Sequence, residues 1–280
     1  GDGKELRVSK EDLVTLKAAV RELERLNEVA TGCLFNPSDI TPIERYSGGV
    51  WAKREDLFCC GGARGSKARS VLRLAENAKG GGGLVVAASR NSTMLGRVAR
   101  VCQHAGVPCR IHVCRSQQLS VEEQDAVAHG GELVKHGDIW HLPAISSRAK
   151  KDAQERSWTY VPFGIECDTH ISEIRRQVCD LPEGVTRIVM AVGSGASLAG
   201  LLLGLTDCGR GDLPVLGVRV SDHSPEDLLD RRAPGWRDRR VTLLPPTDKY
   251  ETPAATTTWN GLSLDPFYEA KAASHIRHGD

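Results

Sequence analysis

From residue 83 onward, short apolar runs alternate with helical patterns, and this alternation limits the 280-residue chain to very few architectures. Leu84-Val-Val-Ala-Ala88 reads as a buried strand, and residues 92–105 as a helix with Leu95, Val98, Val101 and Cys102 on one face. Strands follow at 109–113, 132–135, 159–161, 187–192 and 215–220. Helices follow at 121–129, 144–155, 169–179 and 197–206. Strands separated by helices predict an α/β protein with largely parallel sheets, because a parallel neighbour needs a crossover that a helix supplies. The units fall into two sets, 83–136 and 159–220, which predicts two lobes with a cleft between them.

Upstream of these units lies a second constraint. A strand-like run over 50–54 passes through Cys59-Cys-Gly-Gly-Ala-Arg-Gly-Ser66 into a helix that opens with Lys67. A lysine presented at such a helix start suits two chemistries. Its amine forms a Schiff base with a carbonyl group, or its ammonium holds a phosphate. The segment Met190-Ala-Val-Gly193-Ser194-Gly195-Ala196-Ser197 is also a strand-to-helix turn. Its glycines allow close approach, its N–H groups converge, and the helix N-terminus adds positive potential, so it predicts a phosphate cradle. Neither the P-loop nor the full dinucleotide fingerprint fits, since no Gly-Lys-Ser/Thr follows and the third glycine is out of register.

Composition narrows the partners. A net charge of +1 gives no global attraction for nucleic acid or anionic membrane. No apolar run approaches the ~20 residues of a membrane span. The nine cysteines show no CxxC pair and no regular spacing, which argues against a disulfide framework and a structural zinc site and for a reducing, cytoplasmic setting. His104, His112 and His141 lack metal-ligand spacing, so no metal is expected. Residues 9–29 read as a helix with a capping-box-like start at Ser9 and Asp12. The run Arg231–Arg240, which contains Trp236, reads as a solvated loop or as a site for phosphate or nucleic acid. Lys53 and Asp56, beside the lysine turn, read as an ion pair or loop anchor.

Taken in order, Thr41-Pro-Ile, Lys53-Arg-Glu-Asp-Leu, Gly61-Gly62, Ser66-Lys67-Ala-Arg69, Gly193-Ser-Gly-Ala-Ser197 and Leu264-Asp-Pro-Phe-Tyr-Glu-Ala-Lys271 resemble the fold type II (tryptophan-synthase-β-like) pyridoxal-phosphate enzymes. The nearest branch in pattern is that of 1-aminocyclopropane-1-carboxylate deaminase and D-cysteine desulfhydrase. The resemblance spans roughly residues 40–272. It implies two three-layer αβα lobes with pyridoxal 5′-phosphate in the cleft. The larger lobe comprises 1–69 and 161–280, and the smaller, mobile lobe 70–160. Lys67 becomes the Schiff-base lysine, and Gly193, Ser194, Gly195, Ala196 and Ser197 hold the phosphate. Asn91 or, in a register two residues later, Thr93 contacts the cofactor's 3′-oxygen, while Ser89 and Ser92 flank the substrate carboxylate. Tyr250 is a candidate for proton transfer, and Tyr268 a structural residue. A homodimer is implied.

Departures from the pattern bear on the reaction. Asn260 stands where the deaminase branch has a glutamate near the pyridine nitrogen, and a neutral amide supplies no charge to strengthen the electron sink. This favours β-elimination or β-replacement on an amino-acid-like amine over cyclopropane ring opening. Two alternatives keep the cofactor: an amino-acid group carried on a larger substrate such as a modified nucleotide or nucleic acid, and a homologue that binds cofactor without catalysis.

Overall fold

The computed structural model describes residues 33–137, 141–250 and 252–277. The helix expected over 9–29 lies outside them.

The described chain opens with a hairpin of β1 (Ile43–Arg45) and β2 (Trp51–Lys53), followed by a second of β3 (Cys59–Cys60) and β4 (Ala63–Arg64). Next come α1 (Ser66–Ala78), β5 (Leu84–Ala87), α2 (Met94–Ala105), β6 (Cys109–Cys114), α3 (Val121–Ala128), β7 (Glu132–His136), α4 (Leu142–Arg156) and β8 (Thr159–Val161). The second half carries α5 (Asp168–Arg176), β9 (Ile188–Val192), α6 (Ala196–Asp207), β10 (Val215–Arg219), α7 (Glu226–Arg232) and β11 (Val241–Leu244). It closes with β12 (Thr258–Trp259), β13 (Leu262–Ser263) and α8 (Glu269–Ala273).

Two parallel sheets organise these elements. The first has the order β7-β6-β5-β8, the second β11-β10-β9. Strand alternation makes the first lobe three-layered. Leu84 and Val86 face a core shared with Val71, Leu72 and Ala75 of α1 and with Leu95, Val98 and Val101 of α2. Val85 and Ala87 face Ile145, Ala149 and Ala153 of α4 on the other side. The second core joins Val192 and Val215 to Leu198, Leu202 and Leu205 of α6, Ile171 of α5 and Leu229 of α7.

Two sequence expectations change here. The strand at 159–161, grouped by sequence order with the second set, pairs with β5 of the first sheet. The hydrogen bond from Thr159 N–H to the Gly83 carbonyl begins that ladder, so pairing with β5 overrides order along the chain. The cysteine spacing argued against disulfides, yet Cys33 and Cys59 are joined. Leu34 bonds to Leu57 and Cys59 through its backbone N–H and C=O, and this bridge brings the two Cα atoms to 5.6 Å.

Candidate active site

Lys67 is the second residue of α1. Gly65 precedes the helix at φ 91°, a conformation that L side chains rarely adopt, and so turns the chain from the β4 hairpin into the helix. Arg69, fully buried, pins this turn to the 33–58 segment. It donates to the Asp39 carbonyl, lies 4.7 Å from the Phe58 ring centroid, and reaches Glu55 at 3.5 Å. With the helix start fixed in this way, the Lys67 side chain is partly enclosed, its Nζ 5.6 Å from the centroid of the Tyr268 ring.

Enclosure dominates the electrostatics. Desolvation pushes the Lys67 amine down to about 8, and the Arg97 guanidinium adds to the effect, while Glu269, Glu166 and Asp265 oppose it. These five residues come from four segments: α1, α2, the turn after β8, and the stretch leading into α8. Glu269 is exposed along one side, yet desolvation raises its carboxyl above the usual range. Such a residue lies in a cleft that water enters, walled by protein elsewhere.

The glycine-rich turn forms the neighbouring wall. Gly195, at φ 95°, precedes α6, and no side chain caps that helix or places an acidic group in its first turn. A Cβ at Gly195 would come 2.7 Å from Pro225 Cβ, and one at Gly193 would sit 3.3 Å from the Tyr268 ring. Position 195 therefore has to be glycine, position 193 is tight, and the turn faces the tyrosine that Lys67 approaches. The open N-terminus of α6 suits an anion. A reactive lysine, an aromatic ring and an anion cradle around one cleft are what pyridoxal phosphate needs, so the residues fit that group.

His170 ties the two halves of the site together. It is fully buried on α5 and contacts Ser70 Oγ through Nδ1 at 2.8 Å and Ser197 Oγ through Nε2 at 2.9 Å. Burial, with Lys67 nearby, pushes the imidazole down to about 3, so it is neutral. The contact exists because α5 and α6 pack backbone to backbone. A Cβ at Gly200 would lie 2.6 Å from the Ile171 carbonyl, and one at Gly204 the same distance from that of Arg175.

After β5 the chain turns at 89–92, with Ser92 N–H bonded to the Ser89 carbonyl, and Ser92 then serves α2 through its carbonyl and its Oγ. Asn91 is exposed at the tip of this turn, and Thr93 is the residue at the helix start. Thr93 and Arg97 are four residues apart, so they share a face. Arg97 is enclosed and interacts with Asp265, Tyr268 and Glu269.

Tyr250 is 41% exposed, with its hydroxyl 3.5 Å from that of Tyr268. Enclosure, with Tyr250 beside it, raises the Tyr268 phenol well above its ordinary value. Asn260 occupies the exposed β12–β13 turn at φ 47°, followed by Gly261 at φ 81°, and accepts a bond from Ser47 at 3.1 Å. Asn-Gly with two positive φ angles is the sequence such a two-residue hairpin turn selects, so its identity has a backbone reason.

Glu166 enters the cleft from an unusual turn. Gly164 and Ile165 both have positive φ, at 68° and 60°. For a β-branched residue this costs about 1–3 kcal/mol. Full burial of the Ile165 side chain, worth about 1.5–3 kcal/mol, offsets it. A Cβ at Gly164 would lie 3.4 Å from Glu166 Oε1 and 3.5 Å from Ser194 Oγ. Desolvation raises the Glu166 carboxyl, with His223, Ser194, Arg231 and Lys67 pulling against it.

His170, Arg97 and Glu166 carry no motif in the sequence, while Glu269 lies in the Leu264–Lys271 motif without a role assigned to it there. Only the segments around them were legible. Lys53 and Asp56 are anchors, though not of each other: Lys53 donates to the Thr41 carbonyl at 2.6 Å, and Asp56 pairs with Arg54. In the basic run, Arg232 binds Asp168, Arg237 binds Glu226 and Asp230, and Arg239 binds the Leu202 and Gly211 carbonyls. These arginines fasten α7 and the strand after it to their surroundings. Among the described residues, no helix is long and apolar enough to cross a membrane.

The family model described as pyridoxal-phosphate dependent enzyme matches residues 35–258. The chain belongs to this family. Its cofactor is therefore pyridoxal phosphate, and its α/β architecture is that of fold type II. A solved structure described as a homologue of ACC deaminase is 19% identical, with a TM-score of 0.67 over 89% of this chain and 87% of that one. Maize serine racemase is 15% identical, with a TM-score of 0.50 over 73% of this chain and 66% of its own. A fungal L-serine ammonia-lyase from Rhizomucor miehei is 21% identical, with a TM-score of 0.46 over 66% of this chain. The chain spans 61% of that enzyme's length. The first two likenesses show the fold. No curated protein matches the sequence.

Proposed function

We propose that this pyridoxal-phosphate enzyme acts on a small amino-acid-like amine, in a β-elimination (lyase or deaminase) or β-replacement reaction that uses Lys67. The observation that carries the proposal is the position of Lys67. It is a largely enclosed amine pushed down to about 8, beside Tyr268 and a glycine cradle that Tyr268 also touches. When bound, the cofactor supplies a conjugated ring that accepts electrons.

The protein's own residues do the rest. The N–H groups at the start of α6, with the hydroxyls of Ser194 and Ser197, bind the phosphate. Lys67, released as a neutral amine, takes or returns a proton at the substrate carbon it faces. Thr93 and Arg97, on one face of α2, hold the 3′-oxygen side of the cofactor and the substrate carboxylate. Their shared orientation supports Thr93 over Asn91, leaving Ser89 and Asn91 on the turn that closes over that carboxylate. Tyr250, whose hydroxyl donates to that of Tyr268, is the candidate for proton transfer, while Tyr268 carries a phenol that keeps its proton beside Lys67. The lobe of about 70–160 moves against the rest to admit substrate. The family resemblance supports a homodimer, and the net charge of +1 is compatible with a cytoplasmic enzyme.

Purified protein given pyridoxal phosphate should develop the visible absorbance of a lysine-bound cofactor, and Lys67→Ala should abolish it. A panel of D- and L-amino acids carrying β-leaving groups should then perturb the band and release a keto acid. A band that no amine perturbs refutes the catalytic reading.

A further inference from the structure

His170 belongs to no motif, and a phosphate-binding turn does not require it. Yet it is fully buried and contacts both the lysine helix and the cradle. Its two contacts raise a question of proton counting. Ser197 has one hydroxyl proton, and so has Ser70. Ser70 Oγ lies 3.0 Å from the Ser66 carbonyl as well as 2.8 Å from His170 Nδ1.

Two wirings satisfy every group. In the first, Ser70 donates to Ser66, His170 donates from Nδ1 to Ser70, and Ser197 donates to Nε2. Ser197 then presents only lone pairs to the cradle. In the second, Ser70 donates to Nδ1, His170 donates from Nε2 to Ser197, and the Ser197 proton points into the cradle. Only the second wiring suits an anion.

We propose that His170 is the positioning residue of the phosphate cradle, and that its tautomer decides whether Ser197 accepts or donates there. With the cradle empty the proton sits on Nδ1; with a phosphate bound it sits on Nε2. The change releases one proton at Nδ1 and takes up one at Nε2, so the ring stays neutral and the count does not change. Burial that holds the imidazole down to about 3 keeps the doubly protonated form out of both states. The Ser66–Ser70 end of the relay lies in the helix turn that carries Lys67, so filling the cradle rewires the hydrogen bonds of that turn.

This inference rests on the cradle being the cofactor's phosphate site, but its test is independent of turnover. Protein labelled with ¹⁵N-histidine is studied by long-range ¹H–¹⁵N spectra in three forms: holoenzyme, cofactor-stripped, and stripped with inorganic phosphate. The His170 signals are identified by their loss in His170→Gln. The expected result is an Nδ1–H tautomer in the stripped protein and Nε2–H with phosphate or cofactor bound. The same tautomer in all three forms, or a doubly protonated ring, overturns the proposal.

Ser197→Ala supplies a second arm that leaves the imidazole in place. Without the Ser197 hydroxyl the cradle cannot select between the two tautomers. The His170 spectrum should then be the same with and without phosphate, and phosphate affinity should fall about tenfold, the scale of one hydrogen bond to a charged group. His170→Gln, whose amide both donates and accepts, should bind phosphate more tightly than His170→Phe. A tautomer that still follows phosphate in folded Ser197→Ala overturns the proposal. A tautomer change with inorganic phosphate but no lysine-bound cofactor would refute the proposed function while upholding His170.

Discussion

The depressed basicity of Lys67 leads to a direct measurement. An ordinary lysine titrates at 10.5, and Lys67 at about 8. At pH 7 the neutral fraction is then ~10%, against ~0.03% for the ordinary amine, roughly a 300-fold enrichment in nucleophile. The causes, in order, are enclosure and the Arg97 guanidinium. Cofactor-stripped protein is treated briefly with an amine-specific acylating reagent at pH 6 to 11, and labelling is read by peptide mass spectrometry. Exposed Lys151, whose side chain is 76% accessible, reports the reagent's own pH dependence. Lys67 labelling should rise with a midpoint near 8. In Arg97→Met a positive neighbour is gone, so the ammonium is easier to hold and the midpoint should move upward, slowing capture of cofactor at neutral pH. A Lys67 midpoint near 10.5 in the native protein would falsify the claim that enclosure activates this amine. A downward shift in Arg97→Met would refute the assigned role of Arg97.

Other outcomes follow from the same geometry. Gly204→Ala sets a Cβ 2.6 Å from both the Arg175 carbonyl and Val178, so it should cost about 1–3 kcal/mol in urea unfolding and loosen cofactor binding by moving Ser197 from His170. The His170 imidazole sits at about 3 when folded, below its ordinary 6.5. The unfolded chain thus binds a proton that the folded chain refuses between those values. This contribution is fully present above pH 6.5 and is lost on acidification, at about 1.4 kcal/mol per pH unit. In urea titrations at pH 7, 6, 5 and 4, the advantage of native protein over His170→Gln should shrink at that rate, and parallel profiles would rule the coupling out. Glu166, raised by desolvation beside Ser194, should ionise late and then repel an anion in the cradle. Phosphate affinity measured by calorimetry should therefore weaken with rising pH in the native protein and less so in Glu166→Gln; equal slopes would exclude the effect.

Much of this architecture was legible because it is written locally. Strand and helix follow from periodicity within a few residues, and both the Gly65-Ser66-Lys67 turn and the Gly193–Ser197 turn sit where a strand or hairpin runs into a helix. Sequence separates these two phosphate-competent features and leaves the lysine free for covalent chemistry. Asn260 was legible in a different sense. Read against a family pattern it is a lost carboxylate, while read locally, with Gly261, it is a hairpin turn. The structure shows the turn, with Ser47 as its partner.

What the chain alone determined was therefore the list of elements and two turns into helices, one presenting Lys67 and one rich in glycine, since each depends on neighbours within one turn or one strand. Tertiary structure decided which strand joined which sheet, as with residues 159–161, and which distant groups met. Arg97 and Glu269 reach Lys67 because α2 and α8 converge on one cleft, and Cys33 meets Cys59 across a bridge of backbone bonds. His170 lies 100 positions from Ser70 and 27 from Ser197. It meets both because two glycines on α6 let α5 approach to backbone contact, and close packing between distant segments leaves no periodic trace in a single sequence.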